Sequence, residues 1–514
     1  MPAPTMSGLL VQRAVLLAAA LLFGSPAFAS EEGKTAPPNI VMFVADDLND
    51  WVSAMGYSQA ITPNLDRLAK RGVMFTNAHA PATFCTPSRT AIITGRHAST
   101  TGCYRDQVYH FSHPDIQPLQ VTFQKSGYAT FGGGKIFHHR PGYVDLRGWD
   151  EFFVRSKWHR ENGWWLKTWH DDSPFPQPHP SSPYNEGRQV TGGLFLEWGK
   201  VPNDKEEEMA DTIRTNWACD VIKKKHDKPF FLAVGLYCPH FPNYAPEKYF
   251  DLYDRDKIVT PVLPEDDLDD IPEPMRKQKI NRSKIQQRLD ELGVYKDAVQ
   301  GYLASVSYAD AMLGRVLDAI DESGQADNTI VVFWSDHGYH LGEKGHWGKH
   351  ALWERTTNVP FIWAGPGIPQ DQQVDTTVSL IDMYPTFTEL CKLEKVDELE
   401  GTSIAGVLRD PSTATDRSVF VPYMMPDSYA IVNQDWRYIR YDNGTEELYD
   451  VRNDPNEWTN LAGDPKRRSV IDELTGKAPK TFAKPEPNFP ELRLITEGET
   501  FRWELKKQKK KKPN

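Results

Sequence analysis

Cysteine is scarce in this chain, with five in 514 residues, which excludes a small scaffold stapled by disulfides. Positive charge is in deficit too: 59 Lys and Arg face 70 Asp and Glu, a net charge of −11. That balance argues against general nucleic-acid binding. It also sets a condition on any polyanionic ligand, because the overall field repels it unless the binding site reverses the charge locally. Internal repeats and long low-complexity segments are missing, which excludes solenoids and fibres. Beyond the first 29 residues there is no apolar run of bilayer-spanning length. What remains, 39% apolar and 25% charged residues, is an ordinary globular composition, with length for one large domain and a smaller one.

The start of the chain differs from the rest. Arg13 precedes the short apolar stretch Ala14 to Phe23, and Ala27-Phe28-Ala29 follows. A charged n-region, a short h-region and a small-x-small site read as a signal peptide over residues 1–29, with an uncleaved anchor as the alternative. Residues 30–38 then form a polar linker. The expected location is exported (periplasmic, secreted or lysosome-like), where Ca²⁺ is plentiful and disulfides are permitted. Cys103, Cys219, Cys238 and Cys391 admit three pairings or none; a domain of this size needs no staples, so mostly free thiols are expected.

Apolar runs of strand length at 40–45, 230–234, 330–334 and 360–363 alternate with helical patterns, as expected of a largely parallel sheet buried on both faces. The first run ends in Asp46-Asp47 and the third in Ser335-Asp336-His337-Gly338. Ligands in open α/β sheets gather at the carboxyl ends of strands, and three converging carboxylates need a cation to compensate them. An oxygen-rich set favours Ca²⁺ or Mg²⁺ over zinc. Taken alone, the Asp pair has a plainer reading as a turn or helix N-cap. Thr62-Pro63 reads as the N-cap and first residue of a helix. Apolar positions 302, 306, 309, 313, 316, 317 and 320 recur at helical spacing and predict a core-facing helix over 302–320. The segment 155–200, with Trp158, Trp164, Trp165, Trp169 and Trp198, reads either as an aromatic wall for sugar rings or as a packed insertion. The acidic stretch 265–270 reads as a solvated loop, and the lysines from Lys506 to Lys512 as a solvated tail. Trp436 to Tyr441 and Glu447 to Tyr449 predict a small antiparallel sheet with a closing helix.

The most informative string is Cys85-Thr86-Pro87-Ser88-Arg89. Its four defined positions arise by chance in roughly one chain of this length in several hundred, at about one residue in twenty per position. It resembles the maturation signature of the type I sulfatases, which oxidise that cysteine to formylglycine. The resemblance extends over nearly everything after residue 38: Ile61 to Ala69, Thr94-Gly95-Arg96, Gly134 to His138, Pro239-His240, Gly348-Lys349, Glu447 to Asp450 and Asp454 to Glu457. Gly134 to His138, Phe230 to Gly235 and Ala304 to Asp310 are most similar to the iduronate-2-sulfatases.

The resemblance implies an α/β, alkaline-phosphatase-like sandwich: a large mixed, mostly parallel sheet flanked by helices over 39–390, then a smaller C-terminal α+β domain over 391–514. It implies one Ca²⁺ held by Asp46, Asp47, Asp336, His337 and the matured Cys85. Formylglycine hydrates to a gem-diol, one oxygen of which attacks sulfur in line. His240 is the candidate general acid, since a histidine supplies a proton near neutral pH. His138 would take the proton that restores the aldehyde, with His139 beside it as an open alternative. Arg89 and Lys135 would hold diol and sulfate oxygens, and Lys349 the transferring group. Many sulfatases carry asparagine where this chain has His337, which could shift the metal preference. The implied partners are a sulfated oligo- or polysaccharide, such as one carrying a 2-O-sulfated uronic acid, and the formylglycine-generating enzyme. A phosphomonoester or phosphonate hydrolase of the same superfamily, or a non-catalytic glycan-binding protein with unmatured Cys85, are the alternatives.

Overall fold

The computed structural model describes residues 37–153, 186, 196–489, 491–497 and 500–506. The expected signal segment, Trp158, Trp164, Trp165, Trp169 and the tail from Lys507 to Lys512 lie outside them. The run that begins at Asn39 is all apolar from Ile40 to Ala45 and forms strand β1 (Asn39–Ala45), buried along its whole length. Seven further strands join it: β2 (Gly72–Phe75), β3 (Ala129–Gly134), β4 (Glu151–Phe153), β5 (Phe230–Gly235), β6 (Thr329–Ser335), β7 (Phe361–Ala364) and β8 (Gln372–Val374). Their order is β8-β2-β7-β6-β1-β5-β3-β4. β1 runs parallel to both β5 and β6, while β7 is antiparallel to β6 and β2, so the sheet is mixed and mostly parallel, as expected.

The period of two along β1 sorts two cores. Val41, Phe43 and Ala45 face one, and Ile40, Met42 and Val44 the other. Helices cover both faces: α1 (Pro63–Lys70), α2 (Cys85–Thr94), α3 (Ala210–Lys223), α4 (Tyr295–Glu322) and α5 (Met383–Leu390). α3 and α4 pack on the first face, and Ile92 and Ile93 of α2 with Phe387 of α5 on the second. The predicted helix over 302–320 is longer at both ends because buried Ala298 and Val299 continue its apolar stripe. Each Leu or Val buried there contributes about 1.5–3 kcal/mol relative to exposure.

Two expectations are corrected, and for Trp198 the packed reading holds. Thr62 precedes α1 but its hydroxyl makes no cap; it accepts from Ser53 N at 2.9 Å. Asp310 of α4 caps instead, accepting from Leu65 N at 2.7 Å and Asn64 N at 3.1 Å, because a carboxylate from a packed neighbour meets the exposed N–H groups better than the short threonine. Trp198 is a core residue, 4% exposed, seated where a Cβ on Gly301 of α4 would fall 2.6 Å from its own Cβ. Asp267 is buried, since its carboxylate pairs with buried Lys344 at 2.6 Å.

Past α5, four strands form an antiparallel sheet in sequence order: β9 (Val419–Pro422), β10 (Tyr429–Val432), β11 (Trp436–Arg440) and β12 (Glu446–Asp450). Helix α6 (Arg468–Thr475) closes it with Ile471 and Leu474. This sheet is joined by buried charge to the segment between β6 and β7. Arg437, fully buried, donates to Leu352 O and Thr357 Oγ1 at 2.8 and 2.9 Å and pairs with Glu354 and Glu457. Glu447 accepts from Trp353, Tyr441 and Tyr449. A final hairpin, β13 (Leu492–Glu497) and β14 (Thr500–Leu505), lays Leu494 and Trp503 against the second core. Sequence reading had not identified this hairpin; its end, Lys506, lies 3.9 Å from Glu491. All five cysteines are unpaired.

Candidate active site

Strands β1, β6, β5 and β3 end together at one edge, and each delivers side chains there. Past β1, Asp46 continues the strand and Asp47 turns into the left-handed region at φ 64°, which Asp tolerates better than most residues. Past β6 come Asp336 and His337. β3 ends on Gly134, at φ 74°, where a Cβ would fall 2.1 Å from Gly235 O; only glycine lets the chain turn so that Lys135 enters the site. Cys85 opens α2, so its side chain sits where the unpaired N–H groups of the helix favour negative charge.

The predicted residues converge. Around Cys85 Sγ, His337 Nε2 lies at 3.2 Å, Lys349 Nζ at 3.4 Å and Lys135 Nζ at 3.8 Å. Lys135 pairs with Asp46 and lies 4.8 Å from the centre of the Tyr237 ring. Lys349 reaches Asp47 Oδ1 at 2.6 Å. Arg89 bridges two carboxylates, Asp336 at 2.9 Å and Asp46 at 3.0 Å. His337 Nδ1 lies 3.0 Å from the Gly338 carbonyl. A carbonyl only accepts, so the proton sits on Nδ1 and Nε2 is left as a ligand atom. His240 gives its Nδ1 proton to the Phe241 carbonyl and turns Nε2 to within 3.7 Å of Asp47 Oδ2. The side chains of His240 and Lys349 are 18% and 13% exposed, against 0–1% for Asp46, Asp47, Asp336 and His337. They therefore form the mouth of the site.

His138 lines a small recess with Thr86 and Arg89, and its ring centre lies 4.2 Å from that of His139, tilted by 31°. The ring of His139 faces Tyr237 at 6.1 Å. Sequence reasoning missed the residues that hold this set. Tyr237 covers Lys135; Tyr302 donates to the Asp47 carbonyl at 2.8 Å; Ser88 donates to the Asp336 carbonyl at 2.5 Å; His346 Nε2 lies 2.7 Å from the Lys349 carbonyl. Tyr237, just past the end of β5, carried a signal in its position; Tyr302, on α4, carried none beyond its place in an apolar stripe.

The donor set fits a hard divalent cation. Ligand atoms of Asp46, Asp47, Cys85 and His240, and of Asp46, Cys85, Asp336 and His337, lie within 4.8 Å of one another in each group. Asp47 Oδ2 is buried and accepts no hydrogen bond, an orphan that a cation would satisfy. The electrostatics agree. Burial, together with the neighbouring Asp46 charge and against the pull of Lys349, lifts Asp47 to about 6. Burial likewise lifts Asp336 to about 7, with Asp46 and Asp47 adding to it and Arg89 opposing. Burial also opposes ionisation of Asp46, but Lys135, His240, Arg89 and Lys349 outweigh it and hold that carboxyl well below its usual range.

A pH dependence follows. A carboxyl raised in the fold contributes stability that is full below its unfolded value of about 3.9 and is lost as pH rises through the folded one. Without a cation, the protein should therefore lose melting temperature between about pH 5 and pH 8 as Asp47 and Asp336 ionise. Asp310 at about 6 and Glu457 at about 7, both raised by burial, act in the same direction. Asp46 stays ionised through this window. A divalent cation displaces the two site protons, so its stabilising effect should be largest at the alkaline end. Thermal melts with and without Ca²⁺ across that range test this, and a melting temperature indifferent to the cation at every pH would exclude a metal here.

Comparison with known proteins agrees in extent. Residues 38–393 match the family model described as Sulfatase, and 342–483 the one described as N-sulphoglucosamine sulphohydrolase, C-terminal. A protein named Sulfatase from Formosa agariphila is 39% identical over 465 residues, 87% of each chain. Human iduronate 2-sulfatase is 32% identical over 396 residues, 71% of this chain and 66% of its own. Among solved structures, a phosphonate monoester hydrolase from Silicibacter pomeroyi superposes with a TM-score of 0.68 at 18% identity, covering 86% of this chain and 94% of that one, a likeness of fold alone.

Proposed function

The chain belongs to the sulfatase family, and on that premise we propose that it is an exported sulfatase that removes sulfate from an O-sulfated glycan, with a 2-O-sulfated uronic acid as the residue acted on. The observation that carries this reading is the convergence of His337, Lys349 and Lys135 within 3.2–3.8 Å of Cys85 Sγ at the start of α2. The uronate is supported by the 32% identity to human iduronate 2-sulfatase and by the segments around His138, β5 and Asp310. Export rests on the sequence of residues 1–29. No helix among the described residues is long and apolar enough to cross a membrane.

Asp46, Asp47, Asp336 and His337 would hold the cation, for which Ca²⁺ suits three carboxylates best. Once Cys85 has been matured by a formylglycine-generating enzyme, the hydrated aldehyde supplies the attacking oxygen and the cation compensates the charge of the bound ester. The remaining work falls to side chains. Lys349, at the mouth, binds the sulfuryl oxygens as charge shifts onto them. Arg89, buried between Asp46 and Asp336, fixes both carboxylates. Lys135, shielded from water by Tyr237, balances Asp46 and holds the nucleophile's position. Once protonated beside a bound ester, His240 holds its transferable proton on Nε2, toward the departing sugar oxygen. His138, which shares a recess with Thr86 and Arg89, accepts the proton released when sulfate leaves.

In the ligand-free site, burial and then Lys349 and Lys135 keep His240 well below its usual range; a sulfate ester between them supplies the opposing charge that lets it protonate. The variant His240→Gln should then lose about a hundredfold or more in kcat on a sugar sulfate and far less on nitrophenyl sulfate, whose leaving group needs no proton. Equal losses on both substrates would remove the acid role. The function itself is tested by sulfate release, after co-expression with the maturation enzyme and with Ca²⁺ present, from matched oligosaccharides sulfated only at uronate O2 or only at hexosamine O6. Release from the hexosamine ester alone would discard the uronate assignment, and faster turnover of an aryl phosphonate than of an aryl sulfate would discard sulfatase chemistry.

A further inference from the structure

Beside the site lies a solvent-open cavity of about 350 Å³, within the range of small-ligand sites. Asp106, Arg140 and Tyr143 line one wall; Asn488, Phe489 and Lys506 line the other. The second wall lies beyond both matched family segments, which end at 393 and 483.

The cavity is tied to the nucleophile's neighbour. Asp106 accepts from Thr86 Oγ1, next to Cys85, at 3.4 Å and from Arg140 at 3.1 Å, while Tyr143 donates to the Asp106 carbonyl at 2.6 Å. The Tyr143 ring stands 5.1 Å from that of His138. Phe489 stacks on Phe111 at 3.7 Å and is half-buried, presenting an aromatic surface to the opening. The charges balance, with Arg140 paired to Asp106 and Lys506 beside Glu491. Cations and carboxylates in equal number, with a stacked aromatic ring, do not suit a polyanion. They suit a hydroxyl-rich ring, whose OH groups both donate and accept and whose C–H face packs on an aromatic.

Resting on the sulfatase reading above, we propose that this cavity binds the neutral sugar adjoining the sulfated residue, so that the segment leading into the C-terminal hairpin makes the protein selective for oligosaccharides over single sugar or aryl sulfates. Phe489 is the specificity determinant and takes no part in the chemistry. The test compares kcat/KM on a disaccharide of 2-O-sulfated uronate and N-acetylhexosamine with that on nitrophenyl sulfate. Phe489→Ala should lose about tenfold on the disaccharide, through KM, with nitrophenyl sulfate turnover unchanged, and Phe489→Tyr should restore it. Should Phe489→Ala lower the melting temperature, Phe489→Leu keeps the apolar packing without the flat ring and should show the same selective loss. Equal losses on both substrates, or none on either, would overturn the proposal. If the wild type releases no sulfate from either, the functional reading has failed separately. The cavity is then judged by calorimetric binding of the unsulfated disaccharide, where affinity unaffected by Phe489→Ala overturns it.

Discussion

Cys85→Ala should abolish sulfate release, by about four orders of magnitude or more, and leave the fold standing. The side chain is small, and of the groups gathered around the sulfur Lys349 and Lys135 keep Asp47 and Asp46 as partners without it. The stronger form of the expectation concerns unmodified protein. Burial, followed by the Asp46 charge and against Lys135 and Lys349, pushes the thiol far above its ordinary range. A thiol that stays protonated is a poor nucleophile, so the unconverted chain should be as inactive as the alanine variant. Activity across preparations should then scale with the fraction of Cys85 peptide lighter by about one water's mass, the signature of the oxidation. Peptide mass spectrometry beside a sulfate-release assay settles both, and full activity in protein whose Cys85 is wholly unmodified would end the formylglycine reading.

Replacing Asp336 should separate charge from structure. Asp336→Ala removes the partner of Arg89, which is 1% exposed, together with the acceptor of the Asp47 and His337 backbone N–H groups. Leaving a buried guanidinium half-paired costs about 3–5 kcal/mol, so this variant should be poorly folded as well as inactive. Asp336→Asn keeps an acceptor of the same shape and removes only the charge. It should melt at or above the wild type in the absence of a cation at alkaline pH, because one of three repelling carboxylates is gone. It should also show no stabilisation by Ca²⁺ and lose sulfate release by about a thousandfold. Calorimetric titration with Ca²⁺ reads this directly; an Asn variant that still binds the ion would remove Asp336 from the ligand set.

The sheet and the residues at its edge were legible in the sequence because both rest on local pattern. Strands buried on two faces must be apolar throughout, so β1, β5 and β6 announce themselves, and whatever polar residues follow them are forced to the carboxyl edge. Asp46, Asp47, Asp336 and His337 were found that way. Lys135, Lys349 and His240 were placed by resemblance to a family, since a lysine or histidine in a loop carries no periodicity. Long-range partners stayed hidden. That Asp310 caps α1, that Asp267 is buried against Lys344, and that Trp198 fills the space above Gly301 depend on which segments fold together, which no local window reports. The final hairpin escaped for a similar reason. Its strands, Leu492–Glu497 and Thr500–Leu505, do alternate and bury Leu492 and Phe501, but a lysine-rich end draws the reading toward a solvated tail.

The buried charges between the four-stranded sheet and the segment carrying Lys349 bear on how such a protein can be trimmed or recombined. Arg437 answers Glu354 and Glu457, and Lys344 answers Asp267 and the Glu457 carbonyl. Deleting everything after α5 would strand Glu354 without Arg437 and leave Lys344 with Asp267 but without the Glu457 carbonyl. Exchanging that part for a relative's would succeed only where the incoming piece brings matching charges in register. The C-terminal sheet is thus a keystone and not an ornament: grafts and truncations must respect its ionic lock before any question of substrate arises.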